Sequence, residues 1–273
     1  MSENKKVLLH ISNLKQYFPI GKKQIGKEQL YVKANDGISL DIYEGETFGL
    51  VGEGGCGKST LLSLIAGLLT PESGKILFPM LTADENPKIG YMLQRDHLFE
   101  WRTIYKNVIL GLEINHLATP EKLAKVEAYL KDYGLWDFRD KRPGELSGGM
   151  KQRAALIRTL ALEPELLLLD EPFSALDYQT RLQVSADISR IIRAEKKTAL
   201  LITHDLSEAI SIADRVIVLS SRPATIKIQI PIRLTLPDDS MLAARNAPEF
   251  KSYFNLLWEE LQDDTAGTIY QKT

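Results

Sequence analysis

The chain reads as an α/β protein built around a parallel sheet, and three observations predict this. In the C-terminal half, strand-like runs at Leu166 to Leu169, Ala199 to Thr203 and Val216 to Leu219 alternate with helical spacing at about Tyr178 to Ala194 and Leu206 to Ala213. The first of these runs is apolar at every position, as a strand covered on both faces must be. Finally, the run Gly52-Glu53-Gly54-Gly55-Cys56-Gly57-Lys58-Ser59-Thr60 links a strand-like stretch, Phe48 to Val51, to a helical one, Leu61 to Leu69.

In chain order, Val7 to Val51 reads as a β-rich entry of short strands, interrupted by a polar, hairpin-type loop at Gly21 to Glu28. Thr70-Pro71-Glu72-Ser73-Gly74 is a turn, and strands follow at Lys75 to Phe78 and Ile89 to Leu93. From Thr103 to Leu162 the apolar spacing is helical. Thr119-Pro120 supplies an N-cap and a first-turn proline, Leu123, Val126, Leu130 and Tyr133 form one face, and Gly134 ends the helix. A helical subdomain at about 95–162 is therefore expected. Beyond Arg222 a β-like stretch, Thr225 to Leu236, precedes an amphipathic helix near Pro248 to Leu261, whose Phe250, Phe254, Leu257 and Trp258 are expected to pack on the core.

Composition narrows the function classes. The chain has 273 residues, 44% hydrophobic and 26% charged, which suits a soluble domain with a sizeable core. A formal net charge of −2 and the lack of a basic run argue against nucleic acid as a partner. No apolar stretch approaches the roughly 20 residues that span a bilayer, and no signal-peptide h-region follows Met1, so the expected location is cytosolic or membrane-bound through a partner. Cys56 is the single cysteine, so neither an internal disulfide nor a cysteine-based zinc site is expected.

The glycine-rich run has the spacing of a phosphate-binding P-loop. Its glycines let the backbone form a nest of N–H groups, the helix N-terminus adds partial positive charge, Lys58 adds a full charge, and Ser59 is left to hold Mg²⁺. Cys56 reads as a small space-filler inside the loop. Two further sites join it. Leu166 to Leu169 delivers Asp170 and Glu171 to the sheet's C-terminal edge, where opposite side-chain directions give Asp170 the metal shell and Glu171 the attacking water. Ser147 is a good N-cap and Gly148 and Gly149 bare the following helix N-terminus, a second anion site.

Together these residues resemble the ATP-binding-cassette (ABC) family over nearly the whole chain to about Leu219. Gly52 to Thr60 looks like its Walker A loop, Leu146 to Gln152 its signature, Leu166 to Glu171 its Walker B strand, Ser174 to Asp177 its D-loop, Gln94 its Q-loop glutamine and His204 its switch histidine. The resemblance implies a P-loop NTPase (RecA-like) α/β core with a mixed sheet, an antiparallel β subdomain and an inserted helical subdomain, spanning 7–220, with 221–273 as an extension packed on the core. It implies ATP and Mg²⁺ as cofactors, with Glu171, His204 and Gln94 catalytic, and Ser59, Gln94 and Asp170 around the metal. It further implies a nucleotide held by Gly52 through Thr60, with Ser147, Gly148, Gly149 and Asp177 contributed across a head-to-tail dimer. An aromatic residue upstream of the loop is implied to stack on adenine, with Tyr17 the first choice and Tyr31 the alternative.

A cassette without spans resembles the energy-coupling subunit of an importer, docked at the cytoplasmic face of the cell membrane on a separate permease and served by an extracytoplasmic solute-binding protein. Arg95 to Arg102, with Leu98, Phe99 and Trp101, matches the implied docking groove. Leu98 to Thr103, Asn107-Val108, Gly111 to Glu113 and Ser221-Arg222-Pro223 look like the nitrate/sulfonate/taurine-type import ATPases, whereas Tyr17-Phe18-Pro19 and Tyr43 to Thr47 look like the oligopeptide-importer ATPases. Gly54 stands where those families usually carry serine. Homodimer and heterodimer both remain open, as does a non-transport ABC ATPase, although neither a coiled-coil insertion nor a second cassette is present.

Overall fold

A computed structural model describes residues 6–21, 29–82, 85–237 and 241–268, with 263–268 described by backbone alone. The hairpin-type loop expected at Gly21 to Glu28 lies, after Gly21, outside the described residues. The chain opens with β1 (Val7–Pro19), β2 (Tyr31–Tyr43), β3 (Thr47–Val51), α1 (Lys58–Ile65), β4 (Ser73–Leu77) and β5 (Ile89–Met92). Four helices follow, α2 (Ile104–Val108), α3 (Leu110–Ile114), α4 (Pro120–Asp132) and α5 (Gly148–Leu160). The second half runs β6 (Leu166–Asp170), α6 (Tyr178–Ala194), β7 (Thr198–Ile202), α7 (Leu206–Ile212), β8 (Arg215–Leu219), β9 (Ile226–Pro231), α8 (Met241–Asn246) and α9 (Phe250–Thr268).

The strands form two sheets, an antiparallel one ordered β2-β1-β4 and a six-stranded one ordered β5-β6-β7-β3-β8-β9. In the larger sheet only β9 runs antiparallel, so it is mixed. The apolar run of β6 is explained by two cores. Leu166 and Leu168 join the cluster shared with β1, β2 and α1, while Leu167 and Leu169 join the helical cluster built on Val108, Leu130, Leu156 and Leu160. Alternation along one strand thus serves two different layers. A third cluster, containing Leu206, Ile210, Val218 and Leu257, lies under α7 and α9.

The β sheets are stitched by a buried ion pair. Arg215 Nη2 donates to Glu46 Oε1 at 2.6 Å and to the Asp41 carbonyl at 2.5 Å, while its guanidinium covers the rings of Tyr43 and Phe48. The predicted helix at Thr119 is present, with the Thr119 hydroxyl accepting from the Lys122 N–H and Pro120 in the first turn.

The C-terminal tail differs from expectation in three respects. The β-like stretch Thr225 to Leu236 shortens to β9, an edge strand that ends at Pro231, where a missing N–H costs no ladder bond. The helix α8 was not predicted; it has Met241 and Ala244 buried and packs against α6, α7 and α9. Of the four residues expected to pack on the core, Leu257 is fully buried and Phe250 and Phe254 pack against the third cluster, but Trp258 is 50% exposed. It stacks on Phe254 with ring centroids 6.2 Å apart, at the outer end of an i, i+4 aromatic ladder starting at Phe250.

Candidate functional site

The glycine-rich loop sits between β3 and α1 at the C-terminal edge of the parallel strands, where helix N-terminus and strand ends converge. Gly57, the N-cap of α1, has φ 125°, and a Cβ there would lie 2.5 Å from the Ala34 carbonyl, so backbone shape and close packing both demand glycine. Lys58 is buried, and its ammonium donates to the carbonyls of Gly52 and Glu53, each at 2.7 Å. Cys56 is buried with its sulfur 3.8 Å from that ammonium and against Gly52, which fits the space-filling role. Beside the loop a cleft of about 230 Å³ is lined by Gly54, Gly55, Gly57, Lys58, Ser59 and Thr60, and by Phe18, Val32, Ala34, Glu171 and Arg222.

Ser59 Oγ lies 3.5 Å from Asp170 Oδ1, joining α1 to the end of β6. Burial, with Glu171 as neighbour, holds the Asp170 carboxyl above its ordinary range, against lowering by Ser59, Lys58 and Tyr91. The Tyr91 hydroxyl, within reach of Asp170 and Ser63, is itself pushed up to about 12 by burial first and then by the Asp170 charge. It therefore stays protonated at any working pH and can donate to the carboxylate. A hydroxyl, a carboxylate and nearby room for phosphate make a hard-oxygen donor set that fits Mg²⁺.

The three residues expected to be catalytic meet at one carboxylate. Glu171 Oε2 accepts from Gln94 Nε2 at 3.2 Å and faces His204 Nδ1 at 3.2 Å. Ser174 completes the group: it accepts from Gln94 Nε2 at 3.3 Å and donates to the Glu171 carbonyl at 3.0 Å. Glu171 adopts φ 45°, an uncommon conformation for a glutamate, fixed by its N–H donating to the Ile202 carbonyl. His204 is held by its own loop. Thr203 donates to Glu208 at 2.6 Å, Asp205 caps α7, and the buried Glu208 is pushed up chiefly by desolvation. Of the expected metal residues, Ser59 and Asp170 adjoin directly, while Gln94 joins them through Glu171.

The remaining expected residues lie elsewhere. Ser147 caps α5, accepting from the Met150 N–H at 3.3 Å, and a Cβ on Gly149 would come within 2.7 Å of Val184. Asp177 caps α6 through the Thr180 N–H at 3.1 Å, and its carboxyl is held low by its hydrogen bonds to Thr180. None of Ser147, Gly148, Gly149 or Asp177 lines the cleft beside the P-loop of their own chain.

Neither aromatic expected to stack on adenine lines this cleft. Tyr17 is turned away from the cleft: its hydroxyl donates to Asp36 Oδ1 at 2.7 Å and Lys33 covers its ring at 5.0 Å. Tyr31, the alternative, pairs with Pro19 at the exposed end of β2 and does not line the cleft either. The aromatic that does is Phe18, whose strand partner Val32 lines the same wall. Neighbouring residues on a strand face opposite ways, which puts Phe18 on the cleft side and Tyr17 on the other. Arg222 and Tyr91 were not expected as site residues, and Ser174 was expected only as the first residue of the D-loop resemblance. Tyr91 sits on β5, three residues before Gln94, a placement the sequence offered, whereas Arg222 comes from Ser221-Arg222-Pro223, a segment noted only for its likeness to one group of import ATPases.

Comparison with known proteins agrees with this geometry. The family model described as ABC transporter matches residues 35–174. An uncharacterized ABC transporter ATP-binding protein, YtlC, of Bacillus subtilis is 46% identical over 82% of this chain and 86% of its own length. The taurine import ATP-binding protein TauB of Roseobacter denitrificans is 34% identical, covering 87% of this chain and 91% of its own. Among solved structures, a dimeric post-hydrolysis state of the ATP-binding cassette MJ0796 bound to ADP and Pi superposes with a TM-score of 0.68 at 27% identity, over 82% of this chain and 99% of that one. With cleft, acidic strand end and family match in agreement, the chain belongs to the ABC transporter family and is an ATPase.

Proposed function

We propose that this chain is the energy-coupling subunit of an importer, hydrolysing ATP with Mg²⁺ to drive a separate membrane permease through closure of an ATPase dimer. The observation that carries the reading is the convergence of Gln94 and His204 on Glu171, beside the Ser59–Asp170 pair. Glu171 is the group to orient and deprotonate the attacking water, and Gln94 and His204 fix its carboxylate. Bound at Ser59 and Asp170, Mg²⁺ would neutralise phosphate charge. Phe18 offers the base a flat apolar face, and Lys58 with the loop N–H groups takes the phosphates.

That Ser147 and Gly148 are exposed and stand outside their own chain's cleft supports a site completed by a second subunit, homologous or identical. Relatives named for import, TauB among them, support a small solute of the nitrate, sulfonate or taurine class as cargo. The ATPase unit is taken as 7–220, with 221–273 an extension that contributes β9 and α9. No described helix is long and apolar enough to cross a membrane; the permease in this reading is a membrane-spanning partner at whose cytoplasmic face the chain docks.

The docking surface has a built support. In Arg95 to Arg102, Leu98 is buried in the helical core, while Phe99 and Trp101 lie at the surface with ring centroids 4.8 Å apart, Trp101 being 72% exposed. Fully buried Asn107 accepts from the Phe99 N–H and donates to the carbonyls of Phe99, Arg102 and Thr103. Arg158 of α5 donates to the carbonyls of Asp96 and His97, joining this segment to the helix that Ser147 caps. Movement of a docked partner helix would thereby reach the signature.

The test is Glu171→Gln. It is expected to bind ATP, to dimerise on a sizing column in ATP and Mg²⁺, and to lose steady-state turnover by at least about a hundredfold, the lower range for a lost general base. Turnover at the parent's rate would remove Glu171 from the mechanism.

A further inference from the structure

We propose that Arg222 is a positioning residue for nucleotide binding, a clamp from the segment after β8 that sets the P-loop from outside. The inference rests on the ATP-binding reading of the cleft. The guanidinium donates to the Gly55 carbonyl through Nε at 3.1 Å and through Nη2 as well, and it lines the cleft alongside Lys58 and Glu171. No other residue between β8 and β9 lines that cleft.

A phosphate nest needs its N–H groups turned inward, which requires the carbonyls of the same peptides to turn out. Peptide planarity couples the two: fixing the Gly55 carbonyl fixes the direction of the Cys56 N–H. The loop is least restrained there. Gly54 and Gly55 adjoin, Gly55 has φ 78°, and a Cβ on Gly54 would meet nothing within 4 Å, so besides the long turn bond from the Cys56 N–H to the Glu53 carbonyl at 3.4 Å the pair is held by Arg222 against Gly55. Two adjacent glycines lose the most backbone freedom on ordering. Lys58 takes the carbonyls of Gly52 and Glu53. Arg222 takes that of Gly55, and its two donors meet one acceptor as a fork.

The clamp has a firm base. Ala224 is fully buried, its N–H donating to the Ala34 carbonyl at 3.0 Å and its carbonyl accepting from the Asp36 N–H at 3.0 Å. Ser220 Oγ bonds the carbonyls of Ser221 and Pro223 and meets Thr225 Oγ1, closing the turn around Arg222. The same Ala34 carbonyl stands against Gly57, at the other end of the nest. The strap therefore touches the loop directly at Gly55, through Arg222, and reaches Gly57 only through the Ala34 carbonyl to which Ala224 donates.

The experiment compares the full chain with Arg222→Ala, Arg222→Lys and Lys58→Ala, using a fluorescent ATP analogue for affinity and steady-state ATPase assays for KM and kcat. Arg222→Ala is expected to weaken analogue binding about tenfold, the usual scale for a charged hydrogen bond, and to raise KM for ATP by the same factor with a much smaller fall in kcat. Arg222→Lys, keeping charge without the fork, is expected to recover only part. Parent-like affinity in Arg222→Ala, or a fall in kcat at unchanged KM, overturns the clamp. A lowered melting temperature that accounts for the weaker binding overturns it too, by making the residue merely structural. If Lys58→Ala loses binding while Arg222→Ala does not, the clamp fails and the ATP site stands; if the parent binds no analogue, the ATP reading itself fails.

Discussion

Phe18 and Tyr17 are adjacent aromatics whose roles are separated by one step along a strand. Phe18→Ala is expected to weaken binding of a fluorescent ATP analogue about tenfold, the scale of base stacking on an aromatic ring, while Tyr17→Ala leaves it within about twofold. A larger loss in Tyr17→Ala than in Phe18→Ala would return the stacking role to Tyr17. Glu208 belongs to the same scale. Its carboxyl is raised above the ordinary 4.5, so the folded state holds the proton longer than the unfolded chain. Stability from this group is therefore full below pH 4.5 and declines as pH rises through the raised value. Glu208→Gln removes that decline, so the parent's unfolding free energy, measured by denaturant titration, should fall relative to the variant's as pH rises above 4.5.

Elements with a strong local signal were legible. Helix α6 is predicted and found at Tyr178 to Ala194, because Asp177 caps it and a buried face including Val184, Ile188 and Ile191 recurs at helical spacing. Walker-type residues were legible because each stands at a strand end or helix start. What was not legible depends on partners distant in sequence. Helix α8 is short and is shaped by α6, α7 and α9; Trp258 falls on the correct helix but beyond the edge of the cluster that covers Leu257. Arg222 could be found only once the strap was seen against the loop. The segment Phe99 to Thr103 has the same character, an irregular stretch braced by one buried amide. Asn107→Ala leaves the Phe99 N–H and the Arg102 carbonyl without their side-chain partner and is expected to destabilise the fold by about 3 kcal/mol, measured by urea denaturation.

At the scale of the molecule, the six-stranded sheet gathers every proposed catalytic group from separate strand ends: Lys58 after β3, Gln94 after β5, Glu171 after β6 and His204 after β7. The C-terminal extension is part of this arrangement, since β9 closes the sheet edge and α9 brings Trp258, Leu261 and Gln262 to a cavity shared with Gly52, Glu53, Gly54 and His204. That placement gives the protein an optical reporter. Of its three tryptophans, Trp101 is exposed beside Phe99 and Trp136 is covered by Lys131 and Arg139, while Trp258 stands beside the phosphate loop. Adding ATP should therefore shift the intrinsic emission of the unlabelled chain, and Trp258→Phe should silence most of that shift while Trp101→Phe preserves it, letting loop movement be followed in real time by stopped flow.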